Sequence, residues 1–239
     1  MMIVALIITG FLAGFLSSSI GFGGGMVLLP VITYFYGIEV AVPVSTIAQL
    51  LSNASRVVIG FKDVKWKQAS WFLVTAVPLT ALGAFGFAVA DKVLMTKVVA
   101  VGLIVFSVMK LRGKMQLPHK PATMLVGGGI TGLINGLLSI SGPISSAVFL
   151  TLDLSPVSYI ASEAFAATVM HIVKIIVYGK LHLVNASIVW SGLGIAAAMI
   201  VGNFVAMRLI GKSKKKQYQK VVALCMMALS LYLFFSIGS

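Results

Sequence analysis

The chain of 239 residues has a single cysteine, Cys225. One thiol forms no internal disulfide, and it excludes the paired cysteines of a zinc ribbon or a dithiol redox site. Cys225 lies in an apolar run and reads as packing. Charge is scarce as well: only 10% of the residues are Asp, Glu, Lys or Arg, where a soluble globular domain carries about 25%. Acids are the scarcest, five against eighteen Lys and Arg, which leaves a net charge of +13. The sequence has no His-Glu-x-x-His pair, no phosphate-binding loop and no carboxylates spaced for acid–base work. Gly21–Met26 fits Gly-x-Gly-x-x-Gly only in part and runs into an apolar span, which argues against a dinucleotide. No enzyme activity, metal or cofactor is therefore expected.

What the sequence has in quantity is apolar length. Hydrophobic residues make up 59% of it, in runs near 3–20, 24–36, 43–61, 68–90, 93–111, 122–140, 142–152, 157–179, 184–209 and 218–238. A helix needs about 20 apolar residues to cross a bilayer, so the pattern predicts an all-α, polytopic helical membrane protein whose main partner is the lipid bilayer. The excess of cations does not mark a nucleic-acid binder, because the lysines and arginines sit in short loops between apolar runs and set orientation instead. The first run lacks a basic flank and a small-residue cleavage site, so it reads as a first span rather than a removed signal peptide. The runs 24–36 and 142–152 are too short for an easy crossing. They predict half-helices, tilted pieces or re-entrant arms.

Each short run follows a helix breaker. Gly21-Phe22-Gly23-Gly24-Gly25 precedes the first, and Ser139-Ile140-Ser141-Gly142-Pro143 precedes the second. Glycine costs about 1 kcal/mol in a helix interior, and it lets backbone N–H groups approach a ligand closely. Breaks at matching places in two halves point to a transporter's binding site. Gly10 and Gly14, four residues apart, read instead as close helix packing.

The halves match at an offset of 118, which pairs Gly10 with Gly128, Gly14 with Gly132, Gly24 with Gly142 and Arg56 with Lys174. An offset of 119 then pairs Gly60 with Gly179, Trp71 with Trp190 and Gly83 with Gly202. The expected organisation is a first half over 1–114, a linker over 115–121 and a second half over 122–239. Loop charge predicts that the halves are inverted. Inversion puts Lys62, Lys65, Lys67, Lys110, Arg112, Lys114, Lys120, Arg208, Lys212, Lys214, Lys215, Lys216 and Lys220 on one side, leaving Lys92, Lys97 and Lys180 on the other. A parallel arrangement divides the same cations evenly. The positive-inside rule needs asymmetry, so the cation-rich side, linker included, is cytoplasmic and both termini are outside.

Ser45, Gln49, Ser52, Asn53 and Arg56 fall on one helical face. Glu163, His171 and Lys174 occupy the equivalents of Ser45, Asn53 and Arg56. Lipid cannot satisfy such a stripe, so it faces protein or water. Arg56 and Lys174 are read either as attracting an anionic substrate or as snorkelling anchors. His171 is read as a proton carrier or as a hydrogen-bonding residue, and Glu163 as a site for a coupling proton or an interface residue. The expected substrate site comprises Gly23, Gly24, Gly25, Asn53, Arg56, Ser141, Gly142, Pro143, His171 and Lys174, with Glu163 and His171 for coupling. Trp66, Trp71 and Trp190 read as interface anchors.

Gly14-Phe-Leu-Ser-Ser-Ser-Ile-Gly21-Phe-Gly-Gly-Gly-Met-Val-Leu-Leu-Pro30, followed by the polar-striped helix and Gly60-Phe-Lys-Asp-Val-Lys-Trp66, resembles the sulfite exporter TauE/SafE family over nearly the whole chain. The second half departs from the glycine-rich pattern at Ser141-Gly142-Pro143. The resemblance implies a bacterial or archaeal inner-membrane transporter of sulfur-containing anions such as sulfite or small organosulfonates. The expected function is thus a secondary transporter, an exporter driven by a proton gradient and working by alternating access. The alternatives are an anion channel, or an intramembrane enzyme or assembly factor. A homodimer is left open.

Overall fold

The computed structural model describes residues 2–87, 120–139 and 142–210, with isolated positions 101, 104, 108, 224, 227 and 228. The rest of the expected spans 93–111 and 218–238, linker residues 115–119, Ser141 and Cys225 lie outside them. Eight α-helices occupy the described segments: α1 (Met2–Ile20), α2 (Gly24–Tyr36), α3 (Ile38–Ile59), α4 (Trp66–Gly86), α5 (Pro121–Leu138), α6 (Gly142–Leu150), α7 (Pro156–Lys180) and α8 (Ala186–Ile210). No strand occurs among the described residues. The protein is an all-α membrane protein: α1, α4, α7 and α8 are each long and apolar enough to cross a bilayer.

Helix boundaries follow the local chemistry. Ser155 caps α7, its side chain accepting from the Ser158 N–H at 3.3 Å, and Pro156 occupies the first turn, where its missing N–H costs nothing. The start of α3 differs from the sequence expectation. The helix begins at Ile38, after Gly37 with φ 77°, and Pro43 lies inside it. Gly37 supplies the reversal, because its positive φ is open to glycine at no steric cost. Both short runs form short helices, 13 residues in α2 and 9 in α6.

Helix packing knits the two halves together. α1 lies along α8, and α4 lies along α5. A Cβ at Gly14 would overlap the backbone of Met199, and one at Gly202 would overlap the backbone at Phe11 and Phe15. In the other pair, Gly128 faces Phe72, Gly132 faces Ala76 and Gly83 faces Leu133. In both pairs residue numbers rise together along the contact, so the helices run parallel, with backbones as close as only glycine allows. Asn203 then joins α1, α3 and α8. Its Oδ1 accepts from the Ser18 hydroxyl at 2.9 Å, and its Nδ2 donates to the Ser52 carbonyl and to the Ser52 and Ser55 hydroxyls, each at 2.9 Å.

α3 and α7 cross antiparallel at the centre. The Lys65 N–H, just past the end of α3, donates to the Ser162 hydroxyl near the start of α7 at 2.8 Å. At the other end, Val177 and Tyr178 of α7 pack with Val42 near the start of α3. The polar stripe of α3 faces this crossing: Ser45, Ser52, Asn53 and Arg56 are all buried. Trp66, Trp71 and Trp190 remain exposed, as interface anchors must.

Candidate functional site

Two broken helices meet beside the α3–α7 crossing. In the first half, α1 stops at Ile20 and α2 begins at Gly24, with φ 88° at Gly21 and 106° at Gly23. An L side chain is strained in either conformation. At Gly21 a Cβ would also run into the Tyr159 ring. In the second half, α5 stops at Leu138, and Ser139 takes a left-handed conformation with φ 58° before α6 begins at Gly142. The breaks touch one another, since a Cβ at Gly25 would lie 2.8 Å from the Ser139 carbonyl oxygen.

A buried cavity of about 30 Å³ lies between the breaks, enough for roughly two waters or one compact oxyanion. Gly23, Gly24, Gly25, Asn53, Arg56, Gly142, Pro143, Glu163 and His171 all line it. The structure therefore brings nearly all of the sequence-expected site residues to one place. The first helical hydrogen bond of α2 runs from the Val27 N–H to the Gly23 carbonyl, which leaves the N–H groups of Gly24, Gly25 and Met26 without a partner inside the helix. Gly23 has no side chain to cap them. These groups and the helix dipole favour an anion.

Lys174 is the exception to the expected set. It is fully buried but does not line the cavity. Its Nζ donates to the Ser139 hydroxyl and sits 5.5 Å from the centre of the Tyr178 ring. Lys174 thus holds the second break in shape from behind. Arg56 does part of the same work at the first break, where Nη1 donates to the Ser17 carbonyl at 3.0 Å and lies 3.5 Å from the Gly21 carbonyl. These carbonyls end α1, where partial negative charge accumulates. Neither cation snorkels: exposure is 3% for Arg56 and 0% for Lys174.

Arg56 also meets an acid. Its Nη1 is 3.5 Å from Glu163 Oε2, and its Nη2 donates to Asn53 Oδ1. The Ser145 hydroxyl on α6 donates to Glu163 Oε1 at 2.7 Å. Glu163 therefore ties α7 to both α3 and α6. The offset of 118 sets Glu163 against Ser45, a carboxylate against a hydroxyl.

The buried polar atoms on cavity residues with no hydrogen-bond partner among the described residues include Gln49 Nε2, Asn135 Nδ2 and His171 Nδ1, together with Glu163 Oε2, which faces Arg56 as an ion pair. The two amide groups are donors, and an unmade buried bond costs about 1–3 kcal/mol. A bound acceptor completes them. Sequence reasoning missed Asn135 and Ser145, named Ser139 only as part of the second break, and gave Gln49 no role beyond the stripe. The available signal was the repeat itself, because the offset of 118 places Asn135 at the equivalent of Ser17 and Ser139 at that of Gly21.

The model of the sulfite exporter TauE/SafE family matches residues 6–233 of the chain. No curated protein and no solved structure matches it.

Proposed function

The chain belongs to the sulfite exporter TauE/SafE family of membrane transporters, and on that premise we propose that it is a secondary exporter of small sulfur-containing anions, sulfite or organosulfonates such as sulfoacetate. The observation that carries this reading is the meeting of two helix breaks at a buried cavity lined by the start of α2, whose first N–H groups have no partner inside the helix, and by amide donors with no partner among the described residues. An anion satisfies all of them together. Gly23, Gly24, Gly25, Asn53, Arg56, Gly142 and Pro143 form the first layer of the site, and Lys174 supports it through Ser139. Glu163 carries the coupling proton. As a carboxylate beside Arg56 it competes with the substrate for that cation, and protonation ends the competition. His171 relays the proton from the same face of α7, which also bears Lys174. The site works as a binding site, not as an enzyme centre, and the cell membrane of a bacterium or archaeon is its setting. Reconstituted protein is expected to accumulate radiolabelled sulfite in vesicles against its gradient when a pH gradient is imposed. Equilibration without accumulation would identify an anion channel instead.

The two halves, 1–114 and 122–239, are inverted repeats in this reading. The antiparallel crossing of the equivalent helices α3 and α7 supports it, as does the loop-charge asymmetry. Alternating access then exchanges the conformations of the two halves around the fixed cavity. The ends of α3 and α7 accordingly open to opposite sides of the membrane. Single cysteines at Lys62 and Lys180, on a Cys225→Ala background, test this in intact cells with an impermeant thiol reagent. The expected result is labelling at position 180 and protection at position 62. Labelling of both positions would mean parallel halves.

A further inference from the structure

Three methionines from three different helices, Met26 of α2, Met170 of α7 and Met199 of α8, line the same cavity. All are almost fully buried, with exposures of 3%, 1% and 1%. No single helical stripe puts them there. The Met199 methyl lies 3.2 Å from the place a Gly24 side chain would take, so a thioether rests against the first turn of α2, whose N–H groups have no partner inside the helix. A thioether is polarizable and accepts hydrogen bonds weakly, but it donates none. The cavity wall thus has two kinds of surface. One is polar and carries the donors of the α2 backbone, Gln49, Asn135 and Arg56, with the Glu163 carboxylate held by Arg56 beside them. The other is soft and has nothing to donate. With about 30 Å³ of space, an anion that fills the cavity touches both. An oxygen pressed against the thioethers stays without a donor after losing its water. A sulfur atom, a sulfur lone pair or a methyl group in the same place accepts hydrogen bonds weakly or not at all and loses less.

We propose that Met26, Met170 and Met199 are the specificity-determining wall of this cavity. They admit anions in which three sulfonyl-type oxygens face the donors and a soft or apolar group takes the fourth position. They reject sulfate and phosphate, which carry oxygen in all four directions. The proposal rests on the anion-transport reading and adds to it the residues that discriminate. It places thiosulfate, with its terminal sulfur, and methanesulfonate, with its methyl group, in the accepted class.

Competition against radiolabelled sulfite binding to the purified, full-length protein tests it. Thiosulfate and methanesulfonate are expected to displace sulfite at concentrations about tenfold to a hundredfold below those needed for sulfate or phosphate, the effect of one unmade bond to a charged oxygen. Met199→Gln puts a donor into the wall and is expected to improve competition by sulfate about tenfold. Met199→Leu, which has no donor either, is expected to keep sulfate excluded. Met26→Gln provides the same comparison from α2 if Met199→Gln does not fold. Equal competition by sulfate and thiosulfate in the unchanged protein overturns the proposal, as does unchanged selectivity in the folded Gln variant. In both of these cases sulfite still binds, so the anion-transport reading stands. Absence of any sulfite binding removes that reading and the proposal with it.

Discussion

Gly24→Val is expected to reduce anion flux on the order of a hundredfold, the effect of losing one or two bonds to a charged group, while the protein still inserts in the membrane. A Cβ at this position lands 2.6 Å from the Ser17 hydroxyl and 3.2 Å from the Met199 methyl. Valine adds two more methyls in the first turn of α2, whose residues Gly24, Gly25 and Met26 line the cavity. The first turn must then rotate or retreat, and its donors leave the positions from which they reach an oxyanion. A β-branched residue also disfavours the helix start itself. Gly14→Val fails in a different way. Its Cβ overlaps the Met199 backbone, so α1 and α8 separate and the yield of folded protein falls. Flux per inserted molecule in proteoliposomes distinguishes the two. A Gly24→Val protein that transports at more than about a tenth of the normal rate would remove the α2 N-terminus from the site, since that loss is smaller than one such bond.

The second large effect concerns Arg56 and Glu163. Arg56→Gln leaves the Glu163 carboxylate buried without its counter-charge, and breaking a buried pair from one side costs about 3–5 kcal/mol. A marked fall in thermal midpoint is expected. Glu163→Gln is milder, because Arg56 keeps the Ser17 and Gly21 carbonyls and Asn53, and the amide can still accept from Ser145. The double variant Arg56→Gln/Glu163→Gln is expected to regain most of the lost stability without regaining transport. That non-additivity is the signature of a pair acting as a unit. Glu163→Gln alone is expected to move anions downhill but to gain nothing from an imposed pH gradient. If the double variant is as unstable as Arg56→Gln, the ion pair is not what Arg56 contributes. If Glu163→Gln still responds to the pH gradient, the proton travels elsewhere.

Much of this arrangement was legible in the chain because its signals are local. Glycines at 21 and 23–25, and the Gly142-Pro143 pair, are poor helix interior and mark the two breaks, although Gly127–Gly129 stays helical inside α5, and polar residues spaced by three and four in an apolar run must face inward. The different roles of Arg56 and Lys174 were not legible. Both are cations about five residues from the end of an apolar run, and sequence gives them one character. Their burial is set by partners distant in the chain, Glu163 for one and Ser139 for the other. Asn135 was hidden for a similar reason, as a lone amide whose importance depends on a break in another helix lying beside it. The start of α3 was misplaced because Pro43 is the conspicuous breaker, whereas Gly37 does the turning.

The glycine seams of α1 with α8 and of α4 with α5 have a consequence for biogenesis. Each seam joins a helix of one repeat to a helix of the other, so neither repeat owns a complete packing surface. A ribosome that has released only the first repeat into the bilayer has made α1 and α4 without the neighbours their close backbones require. In the repeat reading proposed above, the duplicated unit is therefore not a unit of folding. The two repeats supplied as separate polypeptides should be degraded when made singly and persist when made together.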